Sequence, residues 1–272
     1  MSVDVEDYFQ VSAFEGVIDR KDWDILEHRV EKNTLSILDL FKRYKIKSTF
    51  FMLGWVAERY PNLIRRIIDE GHELASHGYN HTRVTQQSPD EFFKDIIKTK
   101  KLLEDMSGVE VKGYRAASYS IGKNNLWAID KLSEAGYQYS SSIYPVKHDL
   151  YGMPGSPRFA YVHKSSPLLE IPISTIQHFG RSFPCGGGGF FRLYPYFYSK
   201  WTINSINKKF KQPVIFYFHP WEIDVNQPKV SNLSAKSKLR HYLNLDKMET
   251  RLVNLFSDFK WDRIDNIFLV NK

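Results

Sequence analysis

Cysteine and long apolar runs are almost absent from this chain, and their absence excludes several classes of protein. The sequence has 272 residues and a single cysteine, Cys185. One cysteine can form neither an internal disulfide framework nor a cysteine-rich zinc cluster. No run of about eighteen apolar residues occurs, so no membrane-spanning helix is expected. The first residues, MSVDVEDYF, contain no basic segment followed by an apolar one. No secretory signal is therefore expected, and the sequence predicts a cytoplasmic protein, with work at the inner membrane face left open.

Acidic residues are fewer than basic ones, and the chain carries a moderate positive charge. Lys and Arg number 38 against 31 for Asp and Glu, which gives a net charge of +7. That charge fits an ordinary solvated surface, and it also fits attraction to an acidic polymer or an anionic membrane face. No helix-turn-helix, zinc-finger or RNA-binding signature accompanies the basic residues, so no nucleic-acid partner is expected. With 42% hydrophobic residues, the chain can bury a sizeable core without disulfide bonds or a structural metal to stabilise it.

Short extended runs alternate with longer helical ones along most of the chain, which predicts an α/β fold with mostly parallel strands. About seven or eight strands are consistent with a barrel, and a doubly wound open sheet is the alternative. We find no internal repeat and no clear linker, so we expect one domain over 1–272, with a long loop at 144–166. The predicted strands are Ser2–Glu6, Ser48–Leu53, His72–Ser76, Gly113–Arg115, Tyr137–Ser141, Leu168–Ile173, Val214–Phe218 and Ile267–Val270.

Unusual polar residues follow several of these strands, where an α/β fold places its active site. Asp4, Glu6 and Asp7 end the first strand, and three carboxylates in four residues repel one another unless a cation or an arginine neutralises them. His77 and His81 follow the third strand; four residues apart, they share a face if the segment is helical, and both imidazoles can then bind one divalent metal. Taken singly, an acidic strand end in solvent and a core histidine remain equally ordinary interpretations.

Two further strands are followed by charged or titratable residues that could belong to the same site. Arg115 follows the fourth strand and is a plausible ion-pair partner for the carboxylates, although a plain surface arginine fits the pattern as well. His219 closes the apolar strand VIFYF and is fixed by a following proline, which suits a general acid or base. A structural histidine at that place is the alternative.

In this order and at strand ends, the combination resembles the NodB-homology polysaccharide deacetylases, which are metal-dependent carbohydrate esterases. The resemblance covers roughly residues 1–225. It is closest to the branch whose first motif reads Asp-x-Glu, and to the deacetylases found with bacterial exopolysaccharide gene clusters. It implies a distorted (β/α) barrel with about seven parallel strands. The apolar pattern of the sequence adds a helical and strand extension over 226–272. The segments that carry the resemblance are SVDVEDYFQVSAFE, SHGYNH, YRAASYSI, SSIYP, HDLYGMPGSPR, GGGGFFRLYP and FHPWEID.

The resemblance also implies a role for individual residues. Asp4 matches the catalytic base, and His77 and His81 match the two metal-binding histidines. For the metal-binding carboxylate, Glu6 is the first choice because it shares the inward face of the strand with Asp4. Asp7 is the alternative if the strand has already turned.

Arg115 matches the arginine that orients the base, and His219 matches the general acid. Two positions depart from the family pattern: Ala117 stands where the family usually has proline, and Ser140 stands where it usually has an aspartate that supports the arginine or the histidine network. The residues expected to contact substrate are Ser118, Tyr119, His148, Tyr151 and Trp221.

The implied reaction is hydrolysis of an acetamide on an amino sugar, with release of acetate. The expected substrate is an N-acetylated exopolysaccharide, cell-envelope polysaccharide or lipid-linked glycan. The expected cofactor is a divalent metal, zinc first, with iron, cobalt and nickel left open. Two rival functions are a hydrolase of small cyclic amides or imides on the same fold, and a sugar-binding relative that has lost activity. The sequence does not set the oligomeric state.

Overall fold

Residues 1–149 and 151–270 are described by a computed structural model of the chain, in which eight of the strands form one sheet. The sheet order is β10–β1–β2–β3–β4–β5–β7–β6, and β8 and β9 form a separate two-stranded ribbon. The strands are β1 (Ser2–Val5), β2 (Thr49–Met52), β3 (Glu73–Ser76), β4 (Gly113–Tyr114), β5 (Tyr139–Ser140), β6 (Tyr161–Val162), β7 (Leu169–Glu170), β8 (Thr175–His178), β9 (Arg181–Pro184) and β10 (Tyr217–Phe218).

All pairings from β10 through β7 are parallel, and β6 alone runs antiparallel at the edge of this sheet. The sheet therefore has seven parallel strands, which confirms the expected count. Its two edge strands, β10 and β6, do not pair with each other in the described residues, so the curled sheet is a half-barrel. The expectation of a distorted (β/α) barrel is confirmed in this open form.

Helices follow most strands, as parallel pairing requires. The helix α4 shows why they begin and end where they do: Ser88 forms a capping box with Glu91, Pro89 occupies the first turn, and Gly108 ends the helix with a φ of 69°. Among the described residues, no helix combines the length and apolar content that crossing a membrane requires. The helices are α1 (Val30–Tyr44), α2 (Gly54–Arg59), α3 (Pro61–Asp69), α4 (Pro89–Ser107), α5 (Trp127–Glu134), α6 (Gly188–Leu193), α7 (Tyr196–Lys209), α8 (Ala235–Tyr242), α9 (Met248–Asp258) and α10 (Ile264–Phe268).

The main core draws on both halves of the chain. The central strands β1, β2 and β3 are buried along their whole length, as expected for parallel strands covered on both faces. Val3 and Phe50 lie in the same hydrophobic cluster as Phe216 and Leu255. Residues before 140 and after 214 are thus held together by one packed interior.

One sequence prediction about the second half is wrong, and one pair of strands there was not predicted. The segment predicted as a last strand, Ile267–Val270, instead follows and overlaps the helix α10, and the described part of the extension contains helices without the expected strand. The helix α10 is held through the Asp265 N–H, which donates to Glu73 Oε2 at 3.1 Å, rather than through strand pairing. The β8–β9 ribbon was not predicted. Leu150, in the HDLYGMPGSPR segment, and the last two positions of the extension 226–272 lie outside the described residues.

One glycine in the sheet provides a test of this packing. Gly113 pairs with Tyr139 across β4 and β5, and a Cβ at this position would lie 2.1 Å from the Tyr139 ring. We expect Gly113→Ala to displace that ring and to lower the free energy of unfolding by about 1–3 kcal/mol, measured by urea denaturation. The control is Gly16→Ala, where a Cβ meets open space. Equal stability of the two variants would contradict the packing described here.

Candidate active site and metal centre

Polar residues from four strands meet at the carboxyl edge of the sheet. Asp4 lies in β1 and Glu6 just after it, His77 follows β3, Arg115 follows β4, and His219 follows β10. The first four are almost completely buried, and the His219 side chain is 18% exposed. Residues far apart in the sequence are thus collected at the edge where the sequence analysis expected them.

Glu6, His77 and His81 form a buried group with the composition of a metal site. Their potential ligand atoms all lie within 4.8 Å of one another. His77 Nδ1 donates to the Arg115 carbonyl oxygen at 2.8 Å, which leaves the lone pair on Nε2. Glu6 Oε2 is buried without a hydrogen-bond partner and lies 3.3 Å from His81 Nε2, a costly arrangement for a carboxylate oxygen unless another group satisfies it. Two imidazoles and one carboxylate fit a divalent cation such as zinc.

The two histidines lie close together, but not on one face of a helix as their spacing suggested. The segment between them is a turn, not a helix, with positive φ at Gly78 (76°) and His81 (52°). The Gly54 N–H donates to the Gly78 carbonyl at 2.9 Å and fixes the turn against the start of α2. The ring centroids of His77 and His81 lie 5.2 Å apart.

Asp7 does not join the metal group, which corrects the alternative assignment. Its carboxylate accepts hydrogen bonds from the backbone N–H groups of Tyr8 at 2.8 Å, Arg29 at 2.7 Å and Val30 at 2.9 Å. Burial raises the pKa of Asp7 to about 6, although these three hydrogen bonds act to lower it. The side chain therefore ties the loop after β1 to the start of α1. In this structure, the carboxylate beside the histidines is Glu6.

Asp4 is held by a buried arginine. Arg115 Nη1 contacts Asp4 Oδ1 and lies 2.9 Å from Ser2 Oγ, while Nη2 lies 3.0 Å from Ser141 Oγ. The Tyr119 hydroxyl donates to Asp4 Oδ2 at 3.3 Å. Burial alone would lower the pKa of Arg115, but the Asp4 carboxylate raises it, so the guanidinium stays charged. Removing either member would leave an unpaired buried charge.

A carboxylate that the sequence analysis missed holds His219. Glu222 Oε1 lies 2.9 Å from His219 Nδ1 and accepts from the His219 N–H at 3.1 Å. Arg192 Nε donates to Glu222 Oε2 at 2.7 Å, and both side chains are buried. Glu222 stands three residues after His219, on a short 3-10 turn that begins at Pro220. That spacing in FHPWEID was the available signal.

Ser140, at the position where the family usually has aspartate, forms hydrogen bonds near Arg115 rather than near His219. Ser140 Oγ donates to Ser142 Oγ at 2.8 Å, and Ser142 Oγ accepts from the Ala116 N–H at 2.9 Å. These serines fix the backbone just after Arg115. Support for His219 comes from Glu222, so the change to Ser140 does not leave that histidine without a carboxylate.

Charges of opposite sign set the protonation of the site. Burial would raise the pKa of Glu6, but the neighbouring imidazoles of His81, His219 and His77 lower it to about 2. Burial would lower the pKa of His219, but the Glu6 and Glu222 carboxylates raise it to about 10. Burial lowers the pKa of His81 to about 4, which leaves that imidazole neutral, the form that binds metals.

The predicted substrate-contacting residues divide between two neighbouring cavities. Ser118, Tyr119, Tyr151 and Trp221 line a groove of about 180 Å³ together with Asp4, Glu6, His77, His81 and His219. His148 instead stacks on Tyr151, with ring centroids 4.0 Å apart, and lines an adjoining cavity of about 430 Å³.

Trp221 cannot offer an open ring face to a sugar. One face stacks on His219 at 5.1 Å and the other aromatic contact is His241 at 4.1 Å. The side chain therefore supports the position of His219 rather than forming a flat sugar platform.

A third cavity of about 430 Å³ adjoins the groove at His81. The loop after β1 forms it, with Phe9, Gln10, Arg20 and Trp23 among its lining residues. This cavity and the one beside His148 share no lining residue with each other. The groove thus has two separate cavities next to it, one at His81 and one at Tyr151.

Comparisons with known proteins agree with this fold. Residues 22–140 match the family model described as polysaccharide deacetylase, and residues 141–269 match a domain of unknown function, DUF3473. A peptidoglycan-N-acetylglucosamine deacetylase from Bacillus cereus is 38% identical over 99 residues, which are 36% of this chain and 36% of that protein. The chain therefore matches about a third of the length of this curated relative.

Two solved structures show the same fold. A protein from Mycobacterium smegmatis assigned to the polysaccharide deacetylases has a TM-score of 0.63 at 17% identity, covering 98% of this chain and 87% of that one. An allantoinase has a TM-score of 0.57 at 18% identity, covering 86% and 70%. Both likenesses concern the fold alone. By residues 22–140 the chain matches the polysaccharide deacetylase family, and the fold of the chain is the one seen in these two solved structures.

Proposed function

We propose that this chain is a divalent-metal-dependent hydrolase that removes acetyl groups from N-acetylated amino sugars of a bacterial polysaccharide and releases acetate. The observation that carries the proposal is the buried group of Glu6, His77 and His81, whose ligand atoms lie within 4.8 Å of one another. Asp4 and His219 border the same groove. An exopolysaccharide, free or lipid-linked, is the expected polymer.

The metal would be held by Glu6, His77 and His81, with zinc as the first choice of ion. A divalent cation there supplies Lewis acidity toward the oxygen of the acetyl group. The unpartnered Glu6 Oε2, 3.3 Å from His81 Nε2, supports this assignment, since buried polar atoms are seldom left unsatisfied.

The chain's own residues move the protons. Asp4 accepts a proton from the attacking water, whose oxygen bonds to the acetyl carbon. Arg115 holds Asp4 in place through the buried ion pair. His219 donates a proton to the sugar nitrogen as the carbon–nitrogen bond breaks, so that acetate and a free amine leave. Glu222 positions His219 by fixing Nδ1, which directs Nε2 toward Glu6 and the groove.

The space around the groove favours a chain of sugars over a small cyclic amide. A cavity adjoins the groove at His81, and another adjoins it at Tyr151. A small substrate would use the groove alone. Because Asp4 and His219 come from opposite ends of the sequence, and the strands that carry them contribute to one core, we propose that the whole chain acts as a single catalytic domain.

The metal assignment can be tested without activity. We expect His81→Ala to lose at least about tenfold in zinc affinity, because one of three ligands is removed. Bound zinc measured by mass spectrometry after dialysis against a metal buffer reports this. His163→Ala is the matched control, since His163 lies outside the ligand group. Full zinc content in His81→Ala would refute the assignment.

Acetate release from N-acetylglucosamine oligomers tests the reaction. We expect the zinc-loaded protein to release acetate, and Asp4→Asn and His219→Ala to lose about 100-fold or more in kcat while they retain zinc, because each removes a proton-transfer group. Turnover of a cyclic imide without acetate release would favour the rival hydrolase. Tight oligomer binding without acetate release would favour the sugar-binding relative.

Glu222 gives a separate prediction for a positioning residue. We expect Glu222→Gln to lower kcat by about 10–100-fold with little change in KM or zinc content, because the oriented His219 acts when the carbon–nitrogen bond breaks. The control is Glu110→Gln, at the protein surface. A change in KM alone, or a loss of kcat matched by loss of folded protein in circular dichroism, would contradict the positioning role.

A further inference from the structure

The tip of the β8–β9 ribbon carries a residue that the turn does not favour. The two turn residues, Phe179 and Gly180, both have positive φ, at 49° and 73°. Such two-residue turns strongly prefer asparagine or aspartate before the glycine, because other side chains are strained in the left-handed region. The Phe179 side chain is also fully exposed. Neither the turn nor the core accounts for an aromatic ring at this position.

Exposed aromatic residues continue from the ribbon onto the helix α7. Phe197 and Trp201 are 73% and 47% exposed and lie one turn apart on this helix. The Trp201 ring stacks on His178, with centroids 5.2 Å apart and planes 14° apart, so the helix and the ribbon tip are adjacent. A monomeric protein seldom leaves several large aromatic side chains together in water.

The segment that forms the ribbon and α7 has no acidic residue of its own, although Asp258 of α9 pairs with Lys200 of α7. Between 171 and 221 the sequence contains six Lys and Arg and not one Asp or Glu. Lys208 lies two turns after Trp201 on α7, on the same side of the helix. In the part of the chain that the structure describes, Arg181, Lys208 and Lys211 are in no ion pair. We call Phe179, Phe183, Phe197 and Trp201, with Arg181, Lys208, Lys209 and Lys211, the aromatic–basic face.

We propose that the aromatic–basic face docks on an anionic phospholipid surface. Phe179 and Trp201 enter the boundary between headgroups and acyl chains, and Arg181 and Lys208 contact lipid phosphates. A glycan would need open, flat ring faces, whereas Trp201 has one face covered by His178 and Phe179 projects singly from a turn. The charge and the geometry therefore favour a lipid surface over a sugar polymer.

The face is connected to the catalytic groove by a series of ring contacts. From Trp201 the contacts run to Tyr198 at 5.8 Å, to Tyr194 at 5.0 Å and to Phe190 at 6.1 Å. Phe190 lines the cavity that adjoins the groove at Tyr151. Docking would hold that end of the groove close to the lipid surface.

Co-sedimentation with vesicles tests the apolar part of the proposal. The probe is phosphatidylcholine vesicles with and without phosphatidylglycerol. Phe179→Asn removes the ring and supplies the residue that the turn prefers. We expect about tenfold weaker binding to the anionic vesicles, with unchanged or raised thermal stability, because one buried aromatic side chain is lost from the bilayer boundary. Ile25→Asn is the control, since Ile25 is 82% exposed elsewhere on the protein.

A lysine pair tests the charged part. We expect Lys208→Gln/Lys211→Gln to weaken binding to anionic vesicles by about tenfold or more, and to leave the weak binding to pure phosphatidylcholine unchanged. The control is Lys42→Gln/Lys101→Gln, which removes the same charge from exposed positions on α1 and α4. Control variants should bind like the parent protein.

Three results would overturn the proposal. The first is binding of Phe179→Asn to anionic vesicles at the parent affinity. The second is loss of binding to insoluble chitin in Phe179→Asn with vesicle binding intact, which would make the face a glycan surface. The third is a dimer that Phe179→Asn converts to a monomer in sedimentation, again with vesicle binding intact, which would make it a contact between copies.

Discussion

The site depends on one electrostatic constraint: the Glu6 carboxylate is buried and must be compensated by the groups around it. Burial of an anion costs several kcal/mol unless positive or polarised partners replace water. The imidazoles of His81, His219 and His77 supply those partners. Asp4 meets the same requirement through Arg115, and His219 meets it through Glu6 and Glu222. Each buried charge in the groove is thus balanced by a residue from a different part of the chain.

This charge balance explains why both halves of the chain are needed. The first half supplies Asp4 and Glu6, and the second half supplies His219 and Glu222. Glu222 is held by Arg192, whose guanidinium donates to carbonyl oxygens of Arg240, His241 and Leu243 around the end of α8. Gly188 leaves room for the Glu222 carboxylate, since a Cβ there would lie 2.2 Å from it. Residues in the last third of the chain therefore hold Glu222, and Glu222 in turn holds His219.

The sequence was sufficient for the parallel sheet and for the residues at its carboxyl edge, because strand periodicity and strand-end polarity are local signals. It could not decide between Glu6 and Asp7, because that choice depends on backbone N–H groups of Arg29 and Val30, more than twenty residues away. Glu222 was missed although it stands only three residues after His219; its other partner, Arg192, is thirty residues distant. The Ile267–Val270 prediction failed because a short apolar run has the same appearance in a strand and in a helix end.

A crystal structure of the zinc-soaked protein, with anomalous diffraction measured at the zinc absorption edge, is the most direct test of the metal centre. We expect one strong anomalous peak bonded to Glu6, His77 and His81, with His219 turned from Glu6 toward the open groove. An empty site between the two histidines, or a peak held by other residues, would contradict the central claim that Glu6 and the two imidazoles form a metal site.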